Sequence, residues 1–297
     1  MGDSELRDLR IKELIEGGSL VLIPEFGRAK GWIGALGLGP REHVAVVGGG
    51  GKTSLCFALA NELSASGKSV VTTTTTKVWR EEAECAPCLV FSSSGSPAPN
   101  GLKEGLREKG HVFVAQRPLD SGKVEGISPE TADAFFSDLD IDYVIAEGDG
   151  AAGRAVKAPA AHEPVIPSSA TLVIAMMGLE AVGMSLDPGV VFRLGLFRNL
   201  TGLDEGDTLT PTALARVFQS PKGLFQGTPE SARRIAFLNK SDLLSPDQDA
   251  DDLARRLLRL PHAPIERVII GSLVKNNYRV LIKGGEEFAI PVYPVQE

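Results

Sequence analysis

The chain has 297 residues, 43% of them apolar and 23% charged, with a formal net charge of −7 and a pI near 5.3. That usage excludes disorder, collagen and coiled coil, and its acidic balance argues against a nucleic-acid or anionic-membrane surface. No apolar run nears the roughly 18 residues of a spanning helix, so no membrane contact is expected.

Met1 to Arg10 has no apolar region of the kind a secretory signal needs. Leu6, Leu9, Ile11, Leu14 and Ile15 are spaced as on a helix over 4–16, with a stop at Gly17-Gly18. The glycine-rich stretch to Pro40 reads as an irregular connection. Residues 1–40 are therefore expected to flank a single α/β domain, 41–297. From His43 short apolar runs alternate with helical patterns. His43–Val47, Ser69–Thr74, His111–Gln116, Tyr143–Ala146, Leu172–Met176, Ile235–Leu238 and Arg267–Ile270 read as strands. Lys52–Ser66, Leu102–Lys109, Ser128–Leu139, Thr210–Gln219 and Pro246–Leu260 read as helices, and Phe91 to Gly101 as a surface loop. This alternation predicts a doubly wound, mostly parallel sheet with helices on both faces, of the phosphate-loop NTPase type. The three cysteines, Cys56, Cys85 and Cys88, give no disulfide framework, so a cytoplasmic setting is expected. Cys85-Ala-Pro-Cys88 has redox or metal spacing but no second pair, and reads as incidental.

The strongest signal follows the first strand: Gly48-Gly49-Gly50-Gly51-Lys52-Thr53-Ser54, running into a helix. Glycines let the backbone curl with its N–H groups inward, and a helix N-terminus adds partial positive charge. Lys52 would reach the β/γ-phosphates, and Thr53 would place its hydroxyl on Mg²⁺. Val46 stands where the longer loop pattern has its first glycine, so the match is to the shorter glycine-lysine-threonine loops. Such a site also needs an acid at the tip of a neighbouring strand. Glu147-Gly148-Asp149-Gly150 ends the strand from Tyr143, which makes Glu147 and Asp149 the Mg²⁺ and catalytic candidates, with neither preferred. After the strand ending at Leu238 comes Asn239-Lys240-Ser241-Asp242, the Asn-Lys-x-Asp pattern that reads guanine. Its aspartate accepts from guanine N1–H and the 2-amino group, a pairing adenine does not offer; the alternative is an Asx-type helix cap. The substrate is accordingly read as GTP or ATP, with GTP favoured.

Together these motifs resemble the GTPases that assist metalloenzyme assembly, such as the nickel-insertion proteins of hydrogenase and urease. A closer likeness rests on Gly51-Lys-Thr-Ser-Leu, on Gly67 to Lys77 with its run of five threonines, and on Glu147 to Pro167. These segments resemble the accessory proteins of selenium-dependent molybdenum hydroxylases, over about residues 41 to 283. The resemblance implies a part in maturing such an enzyme, with a molybdenum hydroxylase or its cofactor-loading machinery as partner. It also draws attention to Arg154, Lys157, His162 and Glu163 as a segment that closes over the γ-phosphate or a second ligand. Thr75 is read either as a switch threonine or as part of an ordinary strand end. Two rivals remain open: an ATP-dependent ligase or kinase acting on a small molecule, and a regulatory module that holds nucleotide without hydrolysis.

Overall fold

The computed structural model describes residues 31–92, 99–244, 248–259 and 265–282, all within the compact unit Gly31–Glu297. The helix expected over 4–16 and residues 93–98 of the expected loop lie outside the described residues. Nine strands make the main sheet. They are β1 (Glu42–Gly48), β2 (Val70–Thr74), β4 (Leu89–Phe91), β5 (His111–Ala115), β8 (Tyr143–Glu147), β10 (Leu172–Gly178), β12 (Arg233–Asn239), β13 (Arg267–Ser272) and β14 (Asn277–Ile282). Their order is β14-β13-β12-β10-β1-β8-β2-β5-β4. Every pairing is parallel except β13 with β14. The expected doubly wound, mostly parallel α/β sheet is what the chain forms.

Parallel strands are buried on both faces, and β1, β2, β5, β8 and β10 are buried at every position. Alternate residues of β1 serve opposite layers: Val44 and Val46 pack with Leu55, Leu59 and Leu63, whereas Ala45 and Val47 pack with Phe197, Leu214 and Leu253. The first layer holds α1 (Gly31–Leu36) and α2 (Lys52–Ala65). The opposite face carries α4 (Leu102–Lys109), α5 (Pro129–Ser137), α6 (Leu194–Thr201), α7 (Pro211–Gln219) and α8 (Gln248–Leu258). Two helix starts follow their sequence signals: Ser128 accepts from Thr131 N–H and Thr210 from Ala213 N–H, each with proline in the first turn.

The stretch before Pro40 is not wholly irregular. In α1, Trp32, Ala35 and Leu36 are buried in the same layer as α2, and Glu62 of α2 accepts from the Trp32 and Ile33 N–H groups. A one-and-a-half-turn helix with two glycines carries too little periodicity to be read locally. Sequence reading also passed over a second, three-stranded sheet, β3 (Lys77–Trp79), β7 (Lys123–Glu125) and β6 (Arg117–Pro118), in the order β3-β7-β6. A short helix, α3 (Arg80–Ala83), follows β3, and a two-stranded pair joins β9 (Val156–Lys157) to β11 (Val191–Phe192). No helix among the described residues is long and apolar enough to cross a membrane.

Candidate functional site

The chain leaves β1 for β2 on one side of the sheet, returns to β8, and then builds β10, β12 and β13 on the other side. Such a reversal opens a crevice at the C-terminal ends of the strands. The glycine loop between β1 and α2 sits there. Gly48 and Gly50 adopt positive φ, 95° and 73°. A side chain on either would meet backbone at 2.3 Å, the Met176 carbonyl or the Gly178 nitrogen, so only glycine fits both turn and packing.

The loop divides its amides. Gly48 N–H donates to the Asp149 carboxylate (3.1 and 3.2 Å), Gly49 N–H to Met176 O (3.0 Å) and Gly50 N–H to Arg154 O (3.1 Å). These three bonds fix the first half of the loop to its neighbours. Gly51 caps α2 without any side-chain hydrogen bond, so the amides of the first helical turn open on the cleft unmet, as an anion site requires. Gly51, Lys52, Thr53 and Ser54 line the cleft, while Gly48, Gly49 and Gly50 anchor the loop through their N–H groups.

Lys52 is 5% exposed. Its Nζ donates to Gly48 O at 2.8 Å and lies 3.4 Å from Glu147 and 3.5 Å from Asp149. Burial works against its charge, but the two carboxylates prevail and hold its pKa above the ordinary lysine value. Thr53 Oγ1 donates to Glu147 at 2.9 Å. Burial pushes the Glu147 carboxyl upward, with Lys52 and the Thr53 hydroxyl pulling the other way. Glu147 lines the cleft. Asp149, fully buried, does not: its oxygens face Gly48 N–H, Lys52 and, at 3.0 Å, Lys157. The structure thereby separates two acids that the sequence left equal. A threonine hydroxyl beside a carboxylate is a hard oxygen donor set, of the kind that would suit Mg²⁺.

Lys157 continues this network. Its buried Nζ donates to Gly150 O at 2.6 Å and pairs with Glu163 at 2.7 Å; Glu163 in turn accepts from Arg193 at 2.9 Å. Burial opposes ionisation of Glu163, but Lys157 and Arg193 outweigh it and hold the carboxyl below its usual range. Arg154 and Glu163 line the cleft, as does Thr75, whose Oγ1 donates to Val165 O at 2.8 Å. His162 is exposed and is not brought to the cleft. Arg193 gave no sequence signal, being one basic residue in an irregular stretch after β11.

At the other end, Asn239 reaches back to the loop: its Nδ2 donates to Gly50 O at 2.8 Å, and its Oδ1 accepts from Leu273 N–H at 3.1 Å. One amide thus ties the phosphate loop to the turn after β13. Lys240, at φ 62°, lines the cleft and pairs with Glu180. Asp242 is exposed on the single 3-10 turn Ser241–Leu243 and is not part of the cleft lining. Cys56 is buried, and burial raises its thiol well above the ordinary value. Cys85 is exposed and Cys88 half-buried, and both are free thiols; among the described residues no group of three or more His, Cys, Asp or Glu could hold a metal. The whole cleft encloses about 990 Å³.

Among solved structures, chloroplast FtsY from Physcomitrella patens aligns over 89% of this chain and 67% of its own, at 13% identity and TM-score 0.39. HypB from Helicobacter pylori, solved in complex with nickel, aligns over 80% and 81%, at 11% identity and TM-score 0.35. The uncharacterized protein YqeC of Escherichia coli (strain K12) is 36% identical over 219 residues, which make up 70% of this chain and 83% of that protein. Residues 44–195, from β1 through the glycine loop, Glu147 and Lys157 to Arg193, match the YqeC protein family, and the chain belongs to that family.

Proposed function

We propose that this protein binds a nucleoside triphosphate with Mg²⁺, favours GTP, hydrolyses it, and uses the cycle in maturing a selenium-dependent molybdenum hydroxylase. The observation that carries the nucleotide reading is the group formed by Thr53, Glu147 and Lys52 at the uncapped start of α2. In the absence of phosphate, Lys52 is neutralised by two carboxylates. A triphosphate offers it oxygens in their place, and the first-turn amides add fixed dipoles that need no reorganisation. Mg²⁺, held by Thr53 and Glu147, would supply further neutralisation of the β- and γ-phosphates. Asp149 keeps the loop in register through Gly48 N–H, while Asn239 braces its far side.

GTP is favoured because Asn239, Lys240 and Asp242 follow β12 in the guanine-reading pattern, and the first two already join loop and cleft. One observation favours ATP instead: Asp242, the residue with guanine-specific chemistry, stands outside the cleft lining. Side-by-side titration with non-hydrolysable GTP and ATP analogues separates them. GTP is expected to bind at least about tenfold tighter, a difference of about 1.4 kcal/mol, and Asp242→Asn is expected to erase that preference and admit xanthine nucleotides. Equal affinity for the two analogues would leave the base-reading assignment without support.

The maturation role is supported by the likeness over residues 41 to 283 to accessory proteins of selenium-dependent molybdenum hydroxylases. In a cell that makes such a hydroxylase, deletion of this chain should leave the hydroxylase polypeptide present but inactive. A fully active enzyme in the deletion strain would remove the accessory role and leave the nucleotide site untouched.

A further inference from the structure

The strand order gives the cleft a direction. From β1 the base-reading motif lies towards β10 and β12, whereas β2 and β5 lie on the other side. A nucleotide on the loop with its base near Asn239 and Lys240 therefore leaves the β2–β5 half of the cleft vacant. That half is walled by the small β3-β7-β6 sheet, through Lys77, Trp79, Gln116, Lys123 and Glu125. We propose that this wall is a second binding site, for a small molecule that carries a flat aromatic ring and an anionic group and sits beside the nucleotide. The inference rests on the nucleotide reading above, because that reading says which half of the cleft stays open.

Side chains alternate across a strand, and this small sheet uses the two faces differently. Val78 and Val124 point to one side and are buried with Ala83, Ala86, Phe113 and Ala115. Lys77 and Trp79 pair directly with Glu125 and Lys123, and so share the opposite face, towards the cleft. The wall is firmly mounted: Gly126 N–H donates to Thr76 O (2.6 Å), Ile127 N–H to Thr74 O (2.9 Å), and Gln116 N–H to Glu125 O (2.8 Å). It is therefore built on the ends of β2 and β5 rather than hung from a loose loop.

Its exposed face is set for a ring and an anion. Trp79 is 53% exposed, an unfavourable place for an indole unless something stacks there. Lys123 Nζ lies 4.6 Å from the ring centroid, so a cation already sits where a ligand's anionic group would meet the stacked pair. The acids of the wall are engaged elsewhere: Glu125 pairs with Arg117 at 2.6 Å, and Glu82 accepts from Trp79 N–H at 3.2 Å. Among the described residues neither Lys77 nor Lys123 has a carboxylate at ion-pair distance, and Arg154 adds a guanidinium to the same cleft. The wall thus offers one aromatic surface and excess positive charge, which selects an anionic aromatic over a neutral one or a bare anion.

The chain has two tryptophans, and Trp32 is buried, so Trp32→Phe isolates the emission of Trp79. With this protein saturated by a non-hydrolysable GTP analogue and Mg²⁺, 1-naphthyl phosphate is expected to quench Trp79 saturably, while 1-naphthol and inorganic phosphate are not. Lys123→Glu should raise the apparent Kd for the probe about tenfold, and Lys77→Glu should weaken it in the same direction, with affinity for a fluorescent GTP analogue unchanged. Normal GTP binding together with absent quenching, or quenching indifferent to both lysine reversals, would overturn the second site and spare the nucleotide reading. Saturable, lysine-dependent quenching by the probe in a protein that binds no nucleotide would do the reverse.

Discussion

Lys157 has no exposed side-chain surface, and its Nζ sits between two carboxylates, Asp149 at 3.0 Å and Glu163 at 2.7 Å. Removing one member of a buried ion pair is costly because its partner stays charged and dry, typically by about 3–5 kcal/mol. Lys157→Met should therefore lower the urea midpoint sharply and weaken triphosphate binding, since Asp149 anchors the loop through Gly48 N–H. Adding Asp149→Asn should recover part of the lost stability, because the neutral amide no longer needs the cation. A Lys157→Met protein as stable as wild type would mean that these ion pairs contribute nothing to the stability of the fold. Sequence reading reached these residues unevenly. The glycines, Lys52 and Thr53 are legible because their spacing is itself the structure of the loop. Asp149 was legible as an acid but not as an anchor, since its bond to Gly48 crosses 101 positions of the chain. Lys157 stood out only through family likeness, and Arg193 and Trp79 not at all, because their partners are set by packing between distant segments.

Strands and long helices were readable wherever they bury a continuous or periodic apolar set. The strands expected at His43, Ser69, His111, Tyr143, Leu172, Ile235 and Arg267 all occur, within one or two residues at either end. The elements that escaped are those of two to six residues, β3, β4, β6, β7, β9, β11, β14, α1 and α3, together with the eight-residue α6. Most are fixed by pairing or packing across the chain and have little local pattern to show. The strands also carry a consequence for pH. His43 lies near the start of β1 and His111 opens β5, at the edge of the sheet away from the cleft. Burial lowers the pKa of each to about 4; Asp133 draws His43 back upward but does not prevail. Between 6.5, the unfolded value, and 4 the unfolded chain binds protons that the folded one refuses, so stability falls as the solution is acidified through that window. The shift corresponds to roughly 3 kcal/mol for each histidine. Urea unfolding between pH 7 and pH 5 should show this slope, and His111→Gln should flatten it by about half while nucleotide affinity at pH 7 stays unchanged. A midpoint constant over that range would show that the two rings are not held neutral.

At the scale of the molecule, the parallel strands deliver their loops to one edge, and the reversal of strand order beside β1 leaves the cleft there. On the proposed reading a nucleotide would be met by three separate stretches: the loop after β1, the acid that ends β8 and the asparagine that ends β12. Because a bound triphosphate bridges segments that only the folded chain brings together, its binding must appear as stability. A ligand at a hundredfold excess over its Kd adds about 2.7 kcal/mol, which for a chain of this size raises the melting temperature by about 4–5 °C. GTP with Mg²⁺ should give this shift in full. Lys52→Ala should abolish it, since among the described residues no other lysine reaches the loop carbonyl and both carboxylates. Glu147→Gln is expected to act differently: the fold is kept because Asp149 still faces Lys52, yet the variant loses the part of the shift that depends on Mg²⁺. Melting curves of the three proteins with GTP alone, with GTP and Mg²⁺, and with neither therefore separate the lysine from the acid. Equal shifts in wild type and Lys52→Ala would place the triphosphate somewhere other than this loop.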